Sequence, residues 1–303
     1  MKTFYSHGKL LLSAEYFVLD GARALAVPAK KGQTLTIEPS ETPGLHWKSI
    51  LSDGTLWFET VFDIDTVKTQ SFQSEDPIIQ TLGNILMAAK RQQPNFLNDS
   101  KGILATSYLE FNRDWGLGSS STLVNNIASW AQINPYTLLS ETFGGSGYDI
   151  ACAKATSPIT YTRTNTEPII ETISFHPSFR KNIFFIHLNQ KQNSRDSIAH
   201  YRAIKKKNMN ALIAQVNTYT AQIIEAENIA VFALALERHE SFLSDILQTP
   251  TVKSRLFSSY PGVIKSLGGW GGDFVMATGT LEDMAYFKER GYETIIPYDD
   301  MAL

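Results

Sequence analysis

Residues 116–122 read Gly-Leu-Gly-Ser-Ser-Ser-Thr and continue directly into a helical pattern that extends to Ala131. Glycines let the backbone approach a ligand closely, and the first turn of a helix offers unpaired N–H groups and a partial positive charge. Serine hydroxyls add ligands for phosphate oxygen or for Mg²⁺. The run is typical of a phosphate-binding loop, and taken alone it is equally typical of a tight turn with a serine cap.

The two common nucleotide-binding fingerprints are absent from the sequence. It contains no G-x-x-x-x-G-K-[ST] and no G-x-G-x-x-G between a strand and a helix. A P-loop NTPase and a Rossmann dehydrogenase are therefore disfavoured.

Further candidate residues lie in two other glycine clusters and near the N-terminus. Gly144-Gly145-Ser146-Gly147-Tyr148-Asp149 places a carboxylate after a flexible loop, where Asp149 taken alone is best interpreted as a helix cap. Gly268-Gly269-Trp270-Gly271-Gly272-Asp273 precedes an apolar strand, and Asp273 there could simply close a turn. Gly8-Lys9-Leu10-Leu11-Leu12-Ser13-Ala14-Glu15-Tyr16 places a lysine and a glutamate at the two ends of an apolar strand.

The composition indicates a folded protein whose near-neutral charge produces no strong electrostatic field around it. Of 303 residues, 43% are hydrophobic and 19% are charged, which argues against disorder. Lys plus Arg number 27 against 30 Asp plus Glu, so the net charge is −3. We therefore expect neither a nucleic acid nor an anionic membrane as a partner.

Cysteine content and hydropathy predict a soluble, cytoplasmic protein. The single Cys152 fits a reducing compartment and excludes an internal disulfide. Lys9 and Glu15 bracket Leu10-Leu11-Leu12, so this apolar stretch is too short for a signal peptide. The most apolar later run, 229–236, is far below the roughly 20 residues that cross a bilayer.

Periodicity predicts two α+β halves. The first third reads mostly as strands and turns, and Asp76-Pro77 predicts a helix start whose apolar face continues to about Lys90. Residues 183–188 read as a buried strand, and 196–247 read as two or more helices. A composition shift at 156–177, rich in proline and threonine, is the best candidate for a boundary.

The clusters occur together and in an order that resembles the GHMP kinase superfamily, closest to its mevalonate kinase and phosphomevalonate kinase branches. Residues 8–16 with Ala24-Leu25-Ala26-Val27-Pro28 are similar to the first motif of that superfamily. Residues 116–121 resemble the second motif, its phosphate-binding loop, and this is the most specific match. Residues 265–273 resemble the third glycine-rich motif.

The resemblance implies an α+β protein with the GHMP kinase fold. An N-terminal ATP-binding domain similar to domain 2 of ribosomal protein S5 would span residues 1–160. A C-terminal ferredoxin-like α/β domain, the GHMP kinase domain, would span residues 161–303. ATP and Mg²⁺ are the implied cofactors, and a small molecule is the implied substrate.

The resemblance also implies a role for each matching residue. Asp149 falls on the catalytic aspartate, and Lys9 on the lysine that accompanies it. Ser120 and, with a shorter spacing, Glu141 fall on the Mg²⁺ ligands. The remaining matches are to residues that bind the nucleotide phosphates or face the substrate, and they are Gly116, Leu117, Gly118, Ser119, Ser120 and Ser121 for the phosphates, and Glu15, Tyr16, Gly269 and Trp270 for the substrate.

Three departures from the pattern bear on the substrate. Ser6-His7 replaces Ala-Pro before the first motif, and Asn112 replaces a proline before the second. Trp270 replaces a small glycine in the third motif, so we expect a pocket reshaped by the indole.

The leading hypothesis is an ATP-dependent kinase that transfers the γ-phosphoryl group to a hydroxyl or phosphate acceptor, with mevalonate or phosphomevalonate first. One alternative is a catalytically silent sensor that binds nucleotide or metabolite, and another is an enzyme similar to diphosphomevalonate decarboxylase. The apolar residues between Ile223 and Leu247 fit either a core or a homodimer face.

Overall fold

The computed structural model describes residues 1–69, 71–98, 101–191, 194–204, 206–270 and 272–303. The chain forms two compact units that are interleaved along the sequence. Unit 1 comprises Met1–Gly8, Lys31–Arg113 and Leu117–Lys154. Unit 2 comprises Lys9–Lys30, Asp114–Gly116 and Ala155–Leu303. Each unit is made of several chain segments, so neither corresponds to a continuous domain, and the predicted division at residue 160 stays a prediction.

The strands of the described chain alternate apolar and polar residues or are short apolar runs. In chain order they are β1 (Lys2–Leu11), β2 (Ala24–Pro39), β3 (Gly44–Ile50), β4 (Leu56–Phe62), β5 (Gly102–Leu109), β6 (Ile159–Thr162), β7 (Ile169–Thr172), β8 (Ile183–His187), β9 (Ile264–Ser266), β10 (Phe274–Thr278) and β11 (Ile295–Pro297). The 16-residue strand β2 contributes to both units.

The sheet of unit 1 mixes parallel and antiparallel pairs. Its strand order is β4-β3-β5-β2. The β3 and β5 strands are parallel, with Leu45 opposite Ile103, whereas β5 runs antiparallel to the later part of β2, with Leu35 opposite Ser107. In unit 2, the first part of β2 pairs antiparallel with β6, and β6 pairs with β7.

Unit 2 also contains an antiparallel sheet with the ferredoxin-like order. The order β11-β8-β10-β9 corresponds to 4-1-3-2 when the strands are numbered within this sheet. Helices connect β8 to β9 and β10 to β11, while β9 and β10 are adjacent in sequence. This β-α-β-β-α-β arrangement confirms the predicted ferredoxin-like fold.

Several helices begin at residues whose side chains cap the first turn. Asp76 caps α2 by accepting hydrogen bonds from the N–H groups of Ile78 and Ile79, and Pro77 occupies the first turn. In chain order the helices are α1 (Ile64–Lys68), α2 (Pro77–Gln92), α3 (Ser119–Ala131), α4 (Pro135–Thr142), α5 (Tyr148–Lys154), α6 (Ser194–Ala203), α7 (Met209–Ile224), α8 (Ile229–Leu247), α9 (Val252–Leu256), α10 (Ala285–Lys288) and α11 (Tyr298–Met301).

Each unit contains its own apolar core. In unit 1 the inner face of α3, through Val124 and Ile127, packs with Leu86 of α2 and Trp47 of β3. In unit 2, Phe257 and Phe287 pack with the strands of the ferredoxin-like sheet. Burying such side chains stabilises a domain by about 2 kcal/mol each.

Several predicted elements are confirmed, and others differ. The α2 and α3 helices and the β8 strand lie where the periodicity predicts them. The prediction that Glu15 ends an apolar strand is wrong, because β1 ends at Leu11 and Glu15 lies in the turns that follow. Among the described helices, none combines the length and apolar character that a bilayer crossing requires.

Candidate active site

Helix α3 of unit 1 begins without a side-chain cap. Its N-cap residue is Gly118, whose φ of 87° lies in the left-handed region that favours glycine. A glycine offers no oxygen to the N–H groups of the first turn, which therefore keep their capacity to donate to a ligand. Together with the partial positive charge of the helix end, this geometry suits an anion.

The three serines at the start of α3 occupy different environments. Ser120 is exposed and Ser119 is half-buried, and no hydrogen bond of either hydroxyl occurs within the described residues. Ser121 is buried, and its hydroxyl donates a hydrogen bond to Oδ2 of Asp149. The structure therefore separates Ser121, whose hydroxyl turns to a protein carboxylate, from the two serines that remain open to a ligand.

Asp149 lies in the first turn of the short helix α5. The loop before it contains Gly144, Gly145 and Gly147, which all have positive φ. This loop brings the chain back to the start of α3, where Asp149 contacts Ser121. Since α5 begins at Tyr148, Asp149 is inside the helix, and the interpretation of Asp149 as the cap is wrong. Its half-buried side chain lies at the start of α5 and contacts Ser121 at the start of α3, and its predicted catalytic role stays a prediction.

A buried polar network ties α3 to strands of unit 1. Thr122 donates to the side-chain Oε1 of Gln33 at 2.5 Å, and Asn126 donates to the backbone oxygen of Gln33 at 2.9 Å. Ser6 donates to Oδ1 of Asn126 at 2.7 Å and accepts from Asn125 at 2.9 Å. The departure at Ser6 thus has a structural reason, because its hydroxyl satisfies buried amides of α3.

Glu141, the second proposed Mg²⁺ ligand, pairs with an arginine. Its Oε2 lies 3.2 Å from a guanidinium nitrogen of Arg91. Within the described ranges, no group of three or more His, Cys, Asp or Glu side chains is arranged to hold a metal ion. Ser120 is exposed and carries an oxygen of the kind that Mg²⁺ prefers, and its predicted role as a ligand, like that of Glu141, stays a prediction.

In unit 2, the first and third motifs meet. A Cβ atom added at Gly268 would lie 3.8 Å from Nζ of Lys9, so the ammonium group is next to the glycine-rich turn. The backbone N–H of Trp270 donates to the hydroxyl of Tyr16 at 2.8 Å. Gly269 accepts from the N–H of Gly272 at 3.5 Å, while Gly271 lies outside the described residues.

The indole of Trp270 is buried within this part of unit 2. Its Nε1 donates to the backbone oxygen of Pro250 at 3.2 Å. Tyr16 is also buried and stacks on Tyr201, with 5.2 Å between ring centroids. The predicted substrate contacts of Tyr16, Gly269 and Trp270 stay predictions. The side chains of Tyr16 and Trp270 form hydrogen bonds that stabilise the loop itself.

The first glycine of the second motif packs against the end of the third motif. A Cβ atom at Gly116 would lie 2.3 Å from Oδ2 of Asp273, so this approach requires glycine. Gly116 also has a φ of 64°, and Asp273 adopts a positive φ of 53°. Unit 2 thus brings residues of all three motifs into one region.

Glu15 forms a buried ion pair that the sequence did not predict. Its Oε1 lies 2.5 Å from Nζ of Lys265, and neither side chain is exposed. Glu240 of α8 approaches the same ammonium group at 3.5 Å and accepts from the N–H and hydroxyl of Ser266. Because Glu15 has no exposed surface, its predicted contact with a substrate stays a prediction that requires rearrangement of this cluster.

His239 completes this cluster as a neutral side chain. Its Nε2 accepts a hydrogen bond from the N–H of Ala14 at 3.0 Å, which leaves the ring proton on Nδ1. Burial, and then the nearby Lys265 ammonium, hold the pKa of His239 well below its usual range. Burial also raises the pKa of the Glu15 carboxyl, although Lys265 acts in the opposite direction.

The fold of the chain is similar to that of several solved kinases. Streptococcus pneumoniae phosphomevalonate kinase in complex with phosphomevalonate and AMPPNP matches with a TM-score of 0.72 and 15% identity over 98% of this chain and 100% of that chain. Lactococcus lactis galactokinase complexed with galactose matches with a TM-score of 0.71 and 12% identity over 100% and 93%.

A third match extends this likeness. L. major mevalonate kinase in complex with R-mevalonate has a TM-score of 0.67 and 14% identity over 98% of this chain and 95% of that chain. No family model and no curated protein matches the sequence. At these identities the likeness establishes the fold, and the predicted GHMP kinase fold is confirmed.

We expect Gly116→Ala to destabilise the protein more than Gly144→Ala. Both glycines have nearly the same φ, 64° and 69°, so each substitution costs about 1 kcal/mol of backbone strain. Only the alanine at 116 also collides with Asp273, because nothing lies within 4 Å of a Cβ at Gly144. The overlap adds about 1–3 kcal/mol, measurable as the free energy of unfolding in denaturant.

The contact itself is tested by a double-mutant cycle with Asp273→Gly. The extra cost of Gly116→Ala should shrink in that background, because the colliding carboxylate is gone. Equal costs of the two glycine substitutions, or an unchanged cost in the Asp273→Gly background, would contradict the contact.

We expect His239→Gln to reduce the acid sensitivity of folding. Below the unfolded pKa of about 6.5, the unfolded chain binds a proton that the folded, buried imidazole does not, so stability falls as pH falls. Between pH 7.5 and 5.5 the wild type should lose about 1 kcal/mol more than the variant, whose amide oxygen can still accept from Ala14. His176→Gln, at an exposed histidine, is the matched control. An equal loss in the wild type and His239→Gln would show that this residue titrates normally.

Proposed function

We propose that this protein is an ATP-dependent kinase that phosphorylates a small molecule. The observation that carries the proposal is the start of α3, where a positive-φ glycine leaves the first turn uncapped and a carboxylate, Asp149, is held beside it. Phosphoryl transfer requires positioning and neutralisation of charge rather than covalent chemistry. The uncapped N–H groups would offset phosphate charge, and Asp149 would act on the acceptor. The likeness to the solved kinases supports the same reaction class.

The residues at the start of α3 fit the phosphate chain of ATP. Gly116 and Gly118 keep the loop free of side chains, and the first-turn N–H groups with the hydroxyls of Ser119 and Ser120 would donate to phosphate oxygens. Ser120 would also hold Mg²⁺, which neutralises phosphate charge when bound. Glu141 would join through Oε1 or after release of Arg91, because its Oε2 is paired with that guanidinium group.

The acceptor loses a proton while it is phosphorylated. In the proposed step, a bond forms between the acceptor hydroxyl oxygen and the γ-phosphorus, and the bond from that phosphorus to the β–γ bridging oxygen breaks, which releases ADP. The hydroxyl proton passes to the carboxylate of Asp149. By the resemblance, the Lys9 ammonium stabilises the developing negative charge on the acceptor oxygen.

Mevalonate and phosphomevalonate are the first acceptors to test, because residues 8–16 resemble those kinase branches most. A carboxylate base such as Asp149 favours a hydroxyl acceptor, since a phosphate acceptor needs no strong base. Trp270 also bears on which acceptor binds, because a bulky, buried indole occupies the position of a small glycine in the motif that it resembles. The proposal includes a cytoplasmic location and leaves a homodimer open.

A second candidate is a sensor that binds ATP or a metabolite without turnover, and a third is a decarboxylase that phosphorylates its substrate first. The presence of Lys9, Ser120 and Asp149 together argues against the sensor, because loss of one of them would be its expected signature. The decarboxylase would use an aspartate of the same type and differs by releasing CO₂.

We expect Asp149→Asn and Lys9→Met each to lower kcat by at least about 100-fold, because each removes a group that acts on the acceptor hydroxyl. Nucleotide affinity, measured by equilibrium titration, should change little. Asp53→Asn and Lys48→Met, at exposed positions, are the matched controls and should remain fully active. Full activity of either test variant would refute its assigned role.

We expect an ADP-release assay with an acceptor panel to give turnover with a hydroxyl-bearing acceptor and no CO₂. The panel would contain mevalonate, phosphomevalonate and galactose, each with ATP and Mg²⁺. A thermal shift on binding without any ADP release would favour the sensor, and CO₂ release coupled to ADP would favour the decarboxylase.

A further inference from the structure

We propose that Ser121 is a positioning residue that orients the carboxylate of Asp149 and does not bind the nucleotide. The inference rests on the proposed function, because it concerns how the base of that reaction is held. It also changes the role of Ser121 implied by the resemblance, which groups this residue with the phosphate-binding loop.

Burial and hydrogen bonding separate Ser121 from its neighbours. The residue is only 6% exposed, whereas Ser120 is exposed and Ser119 is half-buried. A serine hydroxyl has one proton to donate, and Ser121 donates it to Oδ2 of Asp149. That hydroxyl therefore cannot donate to a phosphate oxygen while it holds the carboxylate.

The hydrogen bond fixes a torsion that the Asp149 side chain does not fix by itself. The terminal torsion of an aspartate is broad, so its carboxylate plane rotates easily unless a donor holds one oxygen. Ser121 supplies that donor to Oδ2, and within the described residues of unit 1 no hydrogen bond reaches Oδ1. The geometry therefore identifies Oδ1 as the oxygen that takes the acceptor proton.

Ser121 can position Asp149 only if its own place is rigid. The next residue, Thr122, is fully buried and bonded to Gln33 of β2, and Asn126 one turn later bonds to the same residue. These contacts hold the helix in register on the sheet of unit 1. A catalytic group is oriented best when the residue that holds it is itself locked by further hydrogen bonds.

A kinetic comparison of Ser121→Ala with Ser121→Thr tests the inference. Ser121→Ala should lower kcat by about 10-fold or more, because a base that is poorly aligned transfers protons slowly. The Kd for ATP, measured with Mg²⁺ by equilibrium titration, should stay within about 2-fold of the wild-type value, because the residue does not touch the nucleotide. Ser121→Thr retains the hydroxyl and should recover most of kcat.

Two controls separate positioning from structure and from nucleotide binding. Ser120→Ala should show the opposite pattern, with a raised Kd for ATP, because that hydroxyl faces the ligand. Ser140→Ala, at an exposed serine of α4, should leave both parameters unchanged. In the Asp149→Asn background, Ser121→Ala should produce no further loss of residual turnover, since it acts through that carboxylate.

The possible outcomes distinguish this inference from the proposed function. A raised ATP Kd with unchanged kcat in Ser121→Ala would overturn positioning and leave the kinase intact, with Ser121 as a nucleotide ligand. Loss of kcat in both Ser121→Ala and Ser121→Thr, with both variants folded, would likewise overturn it. If the wild type turned over no acceptor, the proposed function would fail and the positioning role would fail with it.

Discussion

The uncapped start of helix α3 is the constraint on which the rest of the candidate site in unit 1 depends. Because Gly118 adopts a positive φ, the helix can begin directly at Ser119 with no side chain over its first turn. The first-turn N–H groups then have no side-chain acceptor from the N-cap residue, and the residues around them hold that end of the helix in place. Thr122 and Asn126 anchor the inner face to Gln33, while Ser121 reaches sideways to Asp149.

A different interaction organises unit 2. The pair of Glu15 and Lys265 joins the first motif to the third in a region without solvent, and Glu240 adds a second carboxylate to the same ammonium group. Removing one member of such a buried pair costs several kcal/mol, although the pair itself contributes little net stability. Its value is in fixing geometry, since Ala14 and Tyr16 adopt positive φ on either side of Glu15 and need firm contacts to stay there.

Local features of the candidate site could be predicted from the sequence, whereas long-range pairings could not. The loop at Gly116 and Gly118 was recognisable because glycine is the residue that adopts positive φ readily, and the α3 bounds followed from periodicity. The partner of Glu15 was hidden, because a glutamate near an apolar strand reads as an exposed group until the fold brings Lys265 to it. The sequence likewise gave no sign that Arg91 would form an ion pair with Glu141, because the two residues are 50 positions apart.

The same limit applies to the serines of α3. Three hydroxyls in succession look equivalent in a sequence, and the direction of each depends on the helix phase relative to its neighbours. Only the packing of α5 against α3 distinguishes Ser121 from the other two. The conformation of Trp270 is a similar case, because a bulky residue in a glycine loop predicts a reshaped pocket, and only the hydrogen bond to Pro250 shows where the indole lies.

The interleaving of the two units has a consequence for synthesis of the chain on the ribosome. Residues 9–30 belong to unit 2, yet the partner of Glu15 is separated from it by 250 positions. The carboxylate of Glu15 therefore cannot form this ion pair until Lys265 has been translated. Folding of unit 2 is thus expected to be late and slow, as for other topologies dominated by distant contacts. A fragment starting at residue 155 would lack residues 9–30 and residues 114–116, which also belong to unit 2, so both segments would have to be joined to it to make unit 2 as a separate protein.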